Sequence, residues 1–74
     1  MHIIDVDINT VINNSIQIQI PASIEQFKVS YPGRQLVVMI PCDFDPVFMV
    51  IETQRDLERD HHFEASYWAM KEIN

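Results

Sequence analysis

Proline sets the segment lengths of this chain. Pro21, Pro32, Pro41 and Pro46 interrupt its middle, and Gly33 is its only glycine. A proline lacks a backbone donor and fixes φ near about −65°, so neither a helix interior nor a central strand runs through one. The elements between the prolines must be short. The 74 residues then make one domain, 1–74. A chain of this length buries only about 60–65% of the surface that its unfolded form exposes, which puts its stability on the order of 5 kcal/mol. Cys42 is the only cysteine. With no internal disulfide, a dense core or a partner must make up for small size. A lone thiol also fits a reducing compartment.

Periodicity fills the spaces between these breaks. Residues 2–8 read as a strand, with Ile4, Val6 and Ile8 alternating against Asp5 and Asp7. Residues 15–20 alternate more cleanly, Ile16, Ile18 and Ile20 against Ser15, Gln17 and Gln19. Asn13-Asn14 can turn the chain between them, which predicts a hairpin that Val11 and Ile12 extend. Ser23 and Gln26 form a capping-box pattern, and Ile24, Phe27 and Tyr31 follow on one helical face, so a helix is expected over 23–31, stopped by Pro32-Gly33. Residues 35–40 are apolar almost throughout, as in a strand covered on both faces. After a loop from Pro41 to Pro46, residues 47–53 have strand composition, although Asp45-Pro46 is also a helix-start pattern.

Residues 54–72 read as a final helix, capped by Thr53, with Asp56 in its first turn and Lys71 near its end. Its apolar residues make two stripes. Leu57, His61, Ala65 and Trp68 lie on one, and Phe63, Tyr67 and Met70 on the other. Two stripes imply cover on two sides or a partner on one. A strand around 62–70 is the alternative. The predicted fold is α+β: a mainly antiparallel sheet of about four strands, ordered β-β-α-β-β-α, with helices on one face.

Charge excludes several function classes. Eleven Asp and Glu oppose five Lys and Arg, a net charge of −6. Such a chain is poorly suited to grip a phosphate backbone, because each phosphate contact needs a cation, so no direct nucleic-acid binding is expected. One glycine is too few for a phosphate-cradling loop. Cys42, Asp43, Asp45, His61 and His62 are metal-ligand types, but no Cys-x-x-Cys or His-x-x-x-His spacing joins them. Asp43 and Glu52 could serve as the acids of a magnesium-dependent nuclease, yet Gln54 stands where such sites place lysine. Cys42 has no helix N-terminus or basic cluster beside it in the sequence to make it a nucleophile. No catalytic residue, metal or cofactor is expected.

No apolar run approaches the ~18 residues of a membrane span, and Met-His-Ile-Ile-Asp has no basic region before an apolar run, so a cytoplasmic protein without a leader is expected. The remaining expectation is a binding protein. Asp43, Asp45, Asp56, Glu58, Asp60 and Glu64 would offer carboxylates to a basic surface, with Phe44, Tyr67 and Trp68 as aromatic anchors. Such a protein would inhibit or modulate a nucleic-acid-handling partner by occlusion. Its size and charge are those of inhibitors encoded by phages and mobile elements, such as anti-restriction and anti-CRISPR proteins. The alternative is an accessory protein or antitoxin subunit that homodimerises through the C-terminal helix or through an unpaired edge strand.

Overall fold

A computed structural model describes residues 2–59 and 65–71. The element order is β1 (His2–Ile4), α1 (Ile8–Asn14), β2 (Ser15–Ile18), α2 (Ile24–Ser30), β3 (Arg34–Ile40), β4 (Val47–Ile51), α3 (Gln54–Arg59) and β5 (Ser66–Lys71). The five strands form one antiparallel sheet in the order β1-β4-β3-β5-β2. The α+β class and the antiparallel sheet agree with the sequence reading. The number of strands, their order and the placement of the helices differ from it.

The centre of the sheet follows from hydrophobicity. β3 is the continuous apolar run, and it lies between β4 and β5. Alternate residues of a strand face opposite sides. Leu36 and Val38 join Ile24, Phe27, Ile51, Leu57, Tyr67 and Ala69 in one core cluster, under α2 and α3. Val37 joins Val11, Phe48, Val50, Trp68 and Met70 in the other, under α1. Helices therefore cover both faces, where one was expected.

α2 forms where the capping box predicts it. The Ser23 hydroxyl accepts from the Gln26 N–H at 3.0 Å, and Ile24 and Phe27 are buried. The first helical N–H, of Ile24, donates to Gln54 Oε1 at 2.9 Å, tying α2 to α3. Gly33 follows at φ 76°, the left-handed region that only glycine enters without strain. The strand reading of 47–53 is realised as β4, over Val47–Ile51.

Two segments depart from the sequence reading. The expected hairpin of 2–8 with 15–20 does not form, and β1 and β2 lie at opposite edges of the sheet. Between them, 8–14 is helical despite β-branched residues and asparagines of low helix propensity. Three side chains compensate. Asp7 Oδ1 accepts from the Thr10 N–H at 2.8 Å, Asn14 Nδ2 donates to the Thr10 carbonyl at 2.8 Å, and the Ser15 hydroxyl donates to the Val11 carbonyl. Val11, fully buried, anchors this helix on the sheet.

The second departure is the expected helix over 54–72. It is α3 only as far as Arg59, and 66–71 is β5, the strand of the alternative reading. The two helical stripes do not survive, because strand alternation sorts the residues differently: Tyr67 and Ala69 face α2 and α3, while Trp68 and Met70 face the α1 side. Among the described residues no helix is long and apolar enough to cross a membrane.

Candidate functional site

β1 runs antiparallel to β4, with Ile4 opposite Phe48. The chain therefore leaves β1 at the end of the sheet where the β3–β4 connection, 41–46, turns over. Asp5 and Asp7 follow β1, and Asp43, Phe44 and Asp45 lie in that connection, all five exposed. A cleft of about 940 Å³ opens between the two segments. Val6, Ile8 and Phe48 give it apolar walls, and Asp5, Asp7 and Asp45 supply its charge, with no Lys, Arg or His among its lining residues.

Phe44 is the most exposed large apolar side chain among the described residues, at 97%. Burying a phenylalanine is worth about 1.5–3 kcal/mol, a large share of the stability of a domain this small. Here that contribution is forgone, and the ring stands between two carboxylates.

The cations nearest this sheet end in sequence lie elsewhere. β3 begins at Arg34, opposite Lys71 of β5, at the end of the sheet away from the 41–46 connection. The Arg34 guanidinium donates to the Ala69 carbonyl at 3.0 Å, and Lys28 lines a smaller pocket together with Arg34. Glu52 lines that pocket too, so the far end of the sheet carries both signs, while the cleft at the 41–46 end has acids as its only charged lining residues. At the 41–46 end, the Thr10 backbone N–H that Asp7 caps stabilises its carboxylate and holds its pKa below the usual value.

The other acids named from the sequence are not part of this surface. Asp56 is only 8% exposed. Its Oδ2 accepts from the Thr53 N–H at 3.3 Å, and its own N–H donates to the Thr53 hydroxyl at 3.1 Å. That reciprocal pair is a capping box, so Asp56 holds the start of α3. Glu58 is exposed on α3, beyond the far end of β4 and about 17 Å of strand away from the connection. Asp60 and Glu64, like His61 and His62, fall outside the described residues. Tyr67 and Trp68, expected as anchors on a terminal helix, are buried in β5, between β3 and β2. The Trp68 Nε1–H finds no acceptor among the described residues. Their burial also removes the helical dimer contact read from the sequence.

Asp43 precedes β4 and Glu52 follows it. The two acids of the nuclease reading are therefore at opposite ends of a strand. Among the described residues no three His, Cys, Asp or Glu are grouped to hold a metal ion. Cys42 is exposed in the connection. Sequence reasoning did not place Asp5 and Asp7 in the site, although their i, i+2 spacing on a strand-like segment already set them on one face. No family model, curated protein or solved structure matches this chain.

Proposed function

We propose that this is a binding protein that presents Phe44, flanked by Asp43 and Asp45 and backed by Asp5 and Asp7, to the basic surface of a nucleic-acid-handling protein, and so occludes it. The observation that carries this reading is the 97% exposure of Phe44 in a carboxylate-flanked turn. An aromatic ring supplies contact area at low entropy cost, and the surrounding charge supplies complementarity and speed of association. Fixed carboxylates can occupy positions where a cationic groove otherwise holds phosphates. With −6 charges on the chain, and Asp5, Asp7, Asp43 and Asp45 at the Phe44 end of the sheet, approach to a cationic groove is steered, and salt weakens it.

The test is affinity capture on the immobilised protein, with Phe44→Ala and Asp43→Lys/Asp45→Lys run in parallel. The wild type is expected to retain a basic nucleic-acid-binding protein, which added duplex DNA or salt releases. Both variants should keep the wild-type melting temperature, because the altered side chains are exposed, and lose the partner. Equal capture by all three proteins, or a partner indifferent to DNA and salt, would refute the proposal.

A further inference from the structure

Residues 8–24 contain no Asp, Glu, Lys or Arg, in a chain that is 22% charged. This uncharged run includes β2, an edge strand that pairs with β5 on its inner side and with no strand on its outer side among the described residues. An open edge offers unpaired N–H and C=O groups to any strand that approaches, and proteins usually blunt it with a charge, a proline or a bulge. The Ser-Ile-Gln-Ile of β2 has none of these. The opposite edge does: β1 has only three residues and runs straight into Asp5 and Asp7. The uncharged run also holds Ile12, Ile16 and Ile20, which are 52%, 52% and 38% exposed.

From this we infer that β2 pairs with the β2 of a second copy of the chain, antiparallel across a twofold axis. Charge favours that occupant's mode of approach. Two bodies of charge −6 repel wherever their acids face each other, and least where neither carries a charge. The strand is also self-complementary. With the axis at Gln17, Ile16 stands opposite the second copy's Ile18 on the α2–α3 side, and glutamine meets glutamine on the other. A slip of one residue would set every isoleucine against a glutamine, so this register is favoured over its neighbours. The contact is isologous and closes at two copies, because the acids beside β1 oppose growth from the other edge.

Joining the two strands and covering the exposed isoleucines buries on the order of 1,000 Å² in total, at the low end of specific interfaces, which makes the contact a weak one. The result is one ten-stranded sheet. Its two acidic clefts belong to the outermost strands, nine strand spacings or about 43 Å apart, which leaves both clear of the contact.

Sedimentation of the whole chain across a concentration series, at low and high salt, tests the pairing. The mass should rise from monomer to dimer, and salt should strengthen the dimer by screening the repulsion, the opposite of its effect on capture of a basic partner. Ile16→Lys should raise the dissociation constant about tenfold or more, because it sets a cation against the second copy's Ile18 on the apolar side of the contact. Circular dichroism checks its fold, and Gln17→Lys reads the same contact if that fold is altered. In a Cys42→Ser background, Gln17→Cys should form an intermolecular disulfide, since Cβ atoms directly opposite are only about 4.5–5.5 Å apart, while Ile3→Cys on the other edge should not. A monomer at about 1 mM, a dimer dissolved by salt, a dimer indifferent to both lysine variants, or equal crosslinking at the two cysteines would each overturn the inference.

Discussion

Replacing Asp56 separates an acid that builds the fold from an acid that serves the surface. Asp56→Ala leaves the Thr53 N–H without its acceptor at 3.3 Å and removes one half of the reciprocal cap on α3. Loss of such a cap costs about 0.5–2 kcal/mol. Asp56 is 8% exposed, so water cannot readily replace the carboxylate oxygen, which places the cost toward the upper end, about 1.5–2 kcal/mol. In a domain of this length each kcal/mol lowers the melting temperature by about 4–8 °C, so a fall of roughly 6–16 °C is expected. Asp56→Asn keeps an oxygen in the same place and should recover about half of the loss, whereas Glu58→Ala, exposed on the same helix, should change stability by less than about 0.5 kcal/mol. Urea denaturation of the three variants, read by circular dichroism, measures all of these. If Asp56→Ala matches the wild type in stability and instead loses the captured partner, the capping argument fails and the acid belongs to the surface.

Three further outcomes follow from the same geometry. Leu57→Ala, which empties a fully buried position between α3 and the sheet, should cost about 2.7–5 kcal/mol and leave the chain largely unfolded at 37 °C, as seen in its loss of cooperative melting. Asp7 has a folded-state pKa below its unfolded value, so its contribution is present above the unfolded value, about 3.9, and is lost as pH falls through the lower folded value. The urea midpoint of the wild type should therefore drop on acidification below about pH 4 more steeply than that of Asp7→Asn. Gly33→Ala meets no atom within 4 Å but must hold φ 76°, so it should destabilise by about 1 kcal/mol through the backbone alone, with Gly33→Asn costing less in the same melts.

Local signals were legible wherever the element's own residues satisfy its ends or its faces. Ser23, Gln26, Ile24 and Phe27 define α2 locally, and the run 35–40 reads as a strand covered twice because Pro32-Gly33 and Pro41 hold it to strand length. The segment 8–14 was hard to read as a helix, because Ile-Asn-Thr-Val-Ile-Asn-Asn has poor propensity and Asn13-Asn14 is also a turn signal. The Asp7-x-x-Thr10 cap and the i, i+3, i+4 spacing of Ile8, Val11 and Ile12 were its local signs. Residues 66–71 misled for a related reason. Tyr-Trp-Ala-Met is apolar on every side, and a short apolar run has no period that separates a buried strand from a buried helix.

The candidate surface divides along the same line. Sequence alone determined that the protein is small, acidic and unstapled, that it carries Phe44 between two aspartates in a proline-bounded turn, and that 8–24 is uncharged. These are properties of the covalent chain. Which acids stand together was decided only by strand order. Asp5 and Asp7 reach the Phe44 turn because β1 pairs with β4 antiparallel, Asp56 is withdrawn into a cap, and Tyr67 and Trp68 are buried because β5 lies between β3 and β2. Pairing between strands distant in sequence is set by the joint burial of two faces of one sheet. No single segment encodes that, so the sequence named the groups and the sheet chose their neighbours.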